Sequence, residues 1–423
     1  MAIERSADAG TQAAAPWPAV TAALAVGSVA LLIPGLQPIL LGELVARHAL
    51  TLEGVGIVAM GEIIALGLGV VLGNALLPPG RLRQVCAAAA LFVAVADVAT
   101  LRLSGDAALA GMRALCGLGE GVLVWVTTSI IVRARAPDRL AGIFLVSQTL
   151  AQAAVAALLA WVVIPAAGWQ GGFAVLAALT LALLAVARWL PAHLTALVAP
   201  GSARLPLTGG TVLSCLVVIC QMAAIGSLWA YLDPLGRAAG YDGTAVQLLV
   251  ALVLLFQVLG GSAAAVLVRR SAAVPVLLAG ALLQAACAWS IHAIAGPAVE
   301  RFAVSCAAFG FIWMFVMPFH VRLAFAADPA GRVAMLVPAL QLLGVALGPL
   351  AAALFVAGDD ARPVPAVCAA FALAAAVLLV PGLGRHARPP PPAGAAPAAG
   401  KRGPGQDSNA IAADSHFTEG RTK

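Results

Sequence analysis

The sequence predicts an all-α integral membrane protein in which twelve transmembrane helices form two similar six-helix bundles. Three observations predict this fold class: the chain is too apolar to be soluble, it contains twelve apolar runs of spanning length, and its halves share features at one offset. The 423 residues are 62% hydrophobic and 10% charged, whereas a soluble domain carries about 25% charged residues. So few polar side chains cannot coat a soluble surface, and the excess apolar sequence needs lipid as its solvent.

The apolar runs locate the helices, because a run of ~20 apolar residues crosses a bilayer. The first six spans lie near residues 18–42, 54–76, 84–103, 108–132, 140–165 and 170–190. The second six lie near residues 209–231, 244–268, 272–295, 298–322, 331–357 and 364–384. We therefore expect an N-terminal tail (1–17), a first bundle (18–190), a linker (191–208), a second bundle (209–384) and a disordered, low-complexity tail (385–423).

The arginines predict how the chain is oriented. With a cytoplasmic N-terminus, the inner loops hold eleven arginines and the outer loops hold five. Positive charge accumulates on the cytoplasmic side of membrane proteins, so we expect both termini inside. The net charge of +6 is then a topology signal that needs no nucleic-acid partner. A composition rich in Ala, Gly, Pro and Arg suggests a bacterial gene, and we expect a multi-pass monomer in the lipid bilayer of the inner membrane.

The sequence contains no motif that predicts an enzyme. The seven cysteines are scattered through apolar runs without a CxxC or His/Cys spacing, which favours small buried side chains over metal ligands. The chain has no nucleotide-binding loop and no Ser/His/Asp arrangement. We expect no catalytic residues, no metal and no cofactor.

An internal repeat relates the two halves. A shift of 188 positions, the difference between 261 and 73, places Gly73, Arg81, Arg113 and Trp125 on Gly261, Arg269, Arg301 and Trp313. One offset thus matches a loop and a helix of each half. Two six-helix repeats related by an axis along the membrane normal form a transporter architecture, whose binding site lies between the repeats near the midplane.

Short motifs agree with this architecture. The loop after the second span, GNALLPPGRLR, keeps Gly73, Gly80 and Arg81 of the pattern G-x-x-x-D-R-x-G-R, while Leu77 and Pro78 replace its Asp and first Arg. The segment RALCGLGEG in the fourth span fits R-x-x-x-G-x-G-x-G, and GWQGGF precedes the sixth span. By these motifs, and by its twelve spans, the chain over residues 18–385 resembles the major facilitator superfamily.

The resemblance implies secondary transport by two rocking halves. It implies that Gly73, Gly80 and Arg81 belong to a conformational loop motif, and that spans 1, 4, 7 and 10 line the central cavity. The antiporter pattern G-x-x-x-G-P is absent from the fifth span, and a related GVALGP occurs in the eleventh. The missing loop Asp and the missing antiporter pattern weigh against a drug antiporter.

Four ionisable residues fall inside predicted spans: Glu62, Asp97, Arg113 and Glu120. A charge at a helix centre costs roughly 2.5–3.5 kcal/mol on insertion scales, so these residues should avoid lipid. Glu62, Asp97 and Arg113 lie at similar predicted depths, and Glu120 follows Arg113 by seven residues, on nearly the same helix face. We interpret them as proton-coupling candidates. A static ion pair that docks three helices is the alternative, favoured for Asp97.

Polar and aromatic residues supply a second group of candidates. The residues that we expect to line the substrate cavity are Gln37, Gln148, Gln152, Gln221, Trp229, Tyr231, Phe311, Trp313 and Gln341. An aromatic wall opposite a charged wall suits an amphiphilic organic solute. Ordinary packing is the alternative for each aromatic residue. His292 and His320 are titratable, although packing explains both as well.

The leading hypothesis is proton-coupled secondary transport of a small organic solute, with export slightly favoured. Uptake of an organic acid, with Arg113 binding the carboxylate, is the alternative. A membrane sensor that transports nothing is a weaker one.

Overall fold

Fourteen α-helices make up almost all of the described chain, which comprises residues 16–134, 136–192, 194 and 208–386 of a computed structural model. The helices are α1 (Trp17–Ala30), α2 (Leu32–Ala46), α3 (Leu52–Leu76), α4 (Leu82–Thr100), α5 (Asp106–Ile131), α6 (Pro137–Leu158), α7 (Ile164–Val186), α8 (Gly209–Ala230), α9 (Leu232–Ala238), α10 (Gly243–Leu267), α11 (Ala273–His292), α12 (Val299–Ala327), α13 (Val337–Ala353) and α14 (Val364–His386). Within these ranges there is no β-strand beyond an isolated bridge between Ala357 and Asp360.

Local sequence explains where several helices begin. The Thr51 hydroxyl accepts the Gly54 backbone N–H at 2.9 Å and caps α3. Thr208 and Thr211 form a capping box at the start of α8, and the Asp242 carboxylate accepts the Ala245 N–H at 2.7 Å at the start of α10. Such caps satisfy backbone donors that the first turn leaves unpaired.

By length and composition, the described chain contains eleven helical runs that could cross a bilayer, and one of these, Arg139–Trp189, is 51 residues long. At 1.5 Å per residue it would reach about 76 Å, well beyond a hydrocarbon core of about 30 Å. Its backbone breaks at Gly168, where φ is 59° and a side chain would be strained. The run therefore holds two spans, α6 with the π-helical Leu159–Val163 and the part of α7 after Gly168.

The predicted fold class is confirmed, and the predicted spans agree with the helices to within a few residues. The span predicted near 18–42 corresponds to Trp17–Ala46, and the one predicted near 209–231 corresponds to Gly209–Ala230, which the short helix α9 follows. The eleventh, predicted near 331–357, corresponds to Ala334–Ala353. The helices up to Leu383 belong to one compact unit, so the expected boundary between two bundles stays a prediction. The expected tails lie largely outside the described residues.

The helix of the first span is interrupted near its middle, and a proline lies just beyond the interruption. α1 ends at Ala30, Leu31 has non-helical angles, and α2 contains Pro38. A proline has no N–H, so Pro38 cannot donate to the carbonyl of Pro34 four residues earlier. That carbonyl instead accepts the Trp229 indole N–H at 2.7 Å, from the end of α8. The break is thus completed by a side chain from the second half of the chain.

Burial shows which end of the molecule is closed. We call the membrane face where α1 begins the terminal face. Because the number of spans is even, α14 ends at this face too. We call the other membrane face the opposite face. Residues 32–44 and 221–236 are buried on almost every side, whereas α1 and α8 each keep an exposed stripe that includes Thr21 and Val212. The two halves also meet at the opposite face where the Glu53 carboxylate accepts the Gly358 N–H at 3.0 Å. The structure is therefore closed at the opposite face.

Glycines allow the closest helix contacts. A Cβ on Gly121 of α5 would lie 2.0 Å from the Leu66 carbonyl oxygen of α3, and one on Gly117 would lie 2.3 Å from that of Glu62. In the second half a Cβ on Gly348 would lie 2.2 Å from the Ala223 carbonyl oxygen. Small residues let backbones approach where lipid offers no hydrophobic drive to associate.

Gly121→Ala should destabilise the protein because the new methyl group would overlap the α3 backbone, which cannot move aside as a side chain can. We expect a cost of about 1–3 kcal/mol, measured as a lower unfolding temperature in detergent. Gly111→Ala is the matched control: it lies on the same helix and has no atom within 4 Å of its added Cβ. Equal effects of the two substitutions would contradict this interpretation of the packing.

Candidate functional site

A buried cluster of charged side chains joins α3, α4 and α5. Arg113 of α5 donates from Nε to Glu62 Oε1 of α3 at 2.7 Å and from Nη1 to Asp97 Oδ1 of α4 at 2.5 Å. Glu120, two turns further along α5, places Oε1 3.6 Å from Arg113 Nη2. Arg113 and Glu62 are each 1% exposed, so the cluster is removed from lipid and from solvent. The structure thus brings together all four ionisable residues that the sequence placed inside spans.

The cluster contains three carboxyl groups and one guanidinium. Glu62 Oε2 and Glu120 Oε2 are buried and have no hydrogen-bond partner among the described residues. Arg113 also lies 5.0 Å from the centroid of the Phe173 ring and donates from Nη1 to Cys116 Sγ at 3.2 Å. Its Nη2 has ion-pair contacts to Glu62 and Glu120 but no hydrogen-bond partner among the described residues. One cation balances one carboxylate, and an uncompensated buried charge costs several kcal/mol. The site therefore contains two acidic groups whose negative charge the single guanidinium cannot neutralise.

The glycine motif of α5 positions this cluster. Gly117 faces the backbone of Glu62, and Gly121 faces the next turn of α3. Because both lack a side chain, α3 and α5 approach closely enough for the Glu62 carboxylate to reach Arg113. The same sequence segment therefore supplies the arginine, one acid and the space that they need.

Aromatic and amide side chains meet at the break in the first span. The Trp229 ring lies 5.4 Å from that of Trp313 in an edge-to-face arrangement, and its N–H occupies the Pro34 carbonyl. Gln152 of α6 donates to the Leu31 carbonyl at 2.5 Å, and Gly35 provides the space for its side chain. Three cavity candidates thus converge on one segment of α1 and α2.

A second polar network joins α8, α12 and α13. His320 places Nε2 2.9 Å from Gln221 Oε1 and Nδ1 3.2 Å from Gln341 Nε2. Because an amide oxygen accepts and an amide N–H donates, His320 carries its proton on Nε2 and is neutral. Both glutamines were predicted to line the cavity, whereas the sequence explained His320 by packing as well as by titration. Its spacing gave no signal, since α8 and α13 are far apart in sequence.

The remaining cavity candidates are more dispersed. Gln37 of α2 lies beside Glu62, next to the ion cluster. Phe311 stacks on Phe315 at 5.7 Å within α12, away from the Trp229–Trp313 pair. Tyr231 and Gln148 are buried, and the Tyr231 hydroxyl and Gln148 Oε1 have no hydrogen-bond partner within the described ranges. The set expected to line one cavity is therefore divided among several contacts in this closed arrangement.

The loop motif at the terminal face has its own geometry. Gly73 leaves room for the Trp125 ring, which a Cβ would meet at 2.8 Å. Arg81 ends a short 3₁₀ turn that begins at Pro79, and its side chain is exposed. The contact to the end of the sixth span comes from Arg83, whose Nε donates to the Leu190 carbonyl at 2.5 Å. From the sequence, Arg83 was predicted only as one of the inner-loop charges.

Comparison with known proteins supports the fold. No protein-family model and no curated protein sequence matches the chain. Among solved structures, the nucleoside transporter NupG matches with a TM-score of 0.70 at 11% identity, over 86% of this chain and 99% of that one. The xylose transporter XylE from E. coli matches with a TM-score of 0.65 at 13% identity, over 86% and 99%. Both are major facilitator transporters.

The chain has the major facilitator fold. The resemblance drawn from its motifs is therefore confirmed at the level of the fold. Both structural neighbours are transporters and not enzymes. In this fold the Glu62–Arg113 cluster lies within the first six spans, and the Trp229–Pro34 contact lies between the first and second halves.

Arg113→Met should destabilise the protein, because it leaves buried acidic groups without their cation. We expect a loss of about 3–5 kcal/mol in unfolding free energy, measured as thermal unfolding in detergent. Adding Glu62→Gln and Asp97→Asn to this variant should recover much of the loss, because the remaining groups are then largely neutral. Arg102→Met, at an exposed helix end, is the control and should have little effect. If the triple variant were no more stable than Arg113→Met, charge compensation would not be the main role of Arg113.

Proposed function

We propose that the protein is a proton-coupled secondary transporter of a small amphiphilic organic solute that works by alternating access. One observation supports this most: three buried carboxyl groups share a single guanidinium within the first half of a major facilitator fold. A group of this composition is stable in hydrocarbon only when some of its acids hold protons. Proton binding there is a consequence of the charge count.

Glu120 is the best candidate for the group that exchanges a proton. Its contact with Arg113 is the longest of the three, its second oxygen is unpaired among the described residues, and it lies near the middle of α5. Asp97 is held by a short bond to Arg113, which supports a structural role for it. Glu62 bonds Arg113 and lies beside Gln37 of the first span, so its state can be transmitted to the cavity.

The solute should be neutral or amphiphilic, with flat apolar surface and hydrogen-bonding groups. Trp229 and Trp313 offer ring faces, while Gln152 and Gln37 offer amides near the broken first span. The described part of the second half offers no buried arginine or lysine to bind an anion. The neighbours' printed solutes, a nucleoside and xylose, are both neutral and rich in hydrogen-bonding groups. Export remains our expectation from sequence.

Uptake of an organic acid through Arg113 receives less support. Its guanidinium is 1% exposed and is already bound by Glu62 and Asp97, so a solute carboxylate would have to displace both. A sensor that transports nothing has no contact that specifically favours it.

The membrane setting completes the proposal. The arginine distribution supports a cytoplasmic terminal face, so the closed opposite face is the outer one. We propose a monomer of the bacterial inner membrane, with bundles over 18–190 and 209–384 joined by a linker over 191–208.

Glu120→Gln should abolish coupling, because an amide cannot exchange the proton. In proteoliposomes, solute identified by a thermal-shift screen of metabolites and drugs should then move without changing internal pH, while solute exchange across the membrane continues. The measurement is the fluorescence of a pH dye trapped inside the vesicles, recorded together with solute flux.

Glu300→Gln is the control, since Glu300 is an exposed acid at the start of α12 and should leave coupling intact. If Glu62→Gln and Glu120→Gln both transport with an unchanged pH response, the proton proposal is wrong. If no solute moves for the unmodified protein, the transport proposal itself is wrong.

A further inference from the structure

Four charged side chains connect the two halves at the opposite face. Glu43 and Arg47 lie on α2, and Asp233 and Arg237 lie on α9. Arg237 bonds from Nε to Asp233 Oδ1 at 2.7 Å, and its Nη2 lies 3.5 Å from Glu43 Oε2. Arg47 bonds from Nε to Glu43 Oε1 at 3.0 Å. The two arginines were predicted only as outer-loop charges, yet Arg237 pairs with an acid of each half.

The surroundings show that this cluster belongs to a closed contact and not to a solvated surface. Asp233 is fully buried, and Glu43 is 5% exposed. A Cβ on Gly42 would lie 2.3 Å from Asp233 Oδ1, so the absence of a side chain there lets α9 approach α2. Asp233 Oδ2 has no hydrogen-bond partner among the described residues. Separating the two halves at this face must therefore break the Glu43–Arg237 pair and hydrate Asp233.

We propose that Glu43, Arg47, Asp233 and Arg237 form a latch that holds the two halves together at the opposite face, and that protons tighten it. The latch rests on the alternating access of the proposed function, but it is separate from the Glu62–Arg113 cluster. It would make the opening of the outer face depend on external pH.

The direction of the pH effect follows from the buried acid. Burial raises the pKa of Asp233 to about 6; Arg237 opposes the rise and Glu43 adds to it. Asp242, at the start of α10, is the other acid that acts on Arg237, and Arg47 acts on Glu43. Once the halves separate, water restores the ordinary Asp pKa of about 3.9. The latched form therefore binds a proton more tightly, so it is favoured as pH falls through about 6.

The difference between the two pKa values of Asp233 sets how strongly pH shifts the equilibrium between the latched and open forms. With a pKa of about 6 when latched and about 3.9 when open, lowering the pH from 7 to 5 shifts the equilibrium about tenfold toward the latched form. The neutral variant Asp233→Asn should stay latched at both pH values.

Hydrogen–deuterium exchange of the full-length protein in nanodiscs, without any solute, tests the latch. Arg237→Gln should speed amide exchange in residues 36–47 and 228–239 by roughly tenfold, because it leaves two buried acids facing each other. Exchange in α4 should stay unchanged, which shows that the fold is intact. Arg301→Gln is the matched control, since Arg301 lies at the same face but bonds Ser290 of its own half.

The pH arm compares variants at one pH, so that the intrinsic pH dependence of exchange cancels. At pH 7 the two segments should exchange more slowly in Asp233→Asn than in the unmodified protein, and at pH 5 the two proteins should match. Unchanged exchange in Arg237→Gln would overturn the latch. Equal or faster exchange of Asp233→Asn at pH 7 would overturn its tightening by protons. Neither result depends on solute flux, so both can be distinguished from failure of the proposed transport.

Discussion

Lipid as a solvent is the constraint on which this structure depends. Hydrocarbon cannot solvate a charge or an unpaired backbone group, so each polar atom within a span must be satisfied by another part of the protein. The Arg113 guanidinium collects the carboxylates of three helices, and the Pro34 carbonyl takes an indole N–H from the other half. Both contacts bring together segments that are distant in sequence. The few polar groups of an apolar chain therefore determine much of its tertiary arrangement.

The same constraint explains why polar groups gather at moving parts. Burying Leu and Ala side chains between helices gives no hydrophobic driving force in lipid, because the tails are equally apolar. An ion pair or a hydrogen bond at the interface is lost when the interface opens, and this loss separates discrete states. The Glu43–Arg237 pair and the Trp229–Pro34 bond both join the first half to the second. The Glu62–Arg113 cluster lies within one half and can persist through such a movement.

Much of the fold could be predicted from the sequence, because hydropathy reports spans directly. The intramembrane residues Glu62, Asp97, Arg113 and Glu120 were also found, since a charge in an apolar run is conspicuous. The latch residues were missed because Arg47 and Arg237 lie at helix ends, where a charge predicts only topology. His320 was undervalued because its two partners lie on helices whose packing hydropathy does not reveal. The expected single cavity was not seen as one site, since the closed arrangement distributes its residues among several contacts.

The broken first span has a consequence for how this chain can evolve. Pro38 deprives the Pro34 carbonyl of its helical donor, and a tryptophan 195 positions after Pro34 supplies the replacement. Losing the indole nitrogen would strand that oxygen in a dry interior, whereas losing the proline would make the indole dispensable there. Substitutions at Pro38 and Trp229 should consequently be correlated in evolution, so that related sequences either keep both residues or replace both.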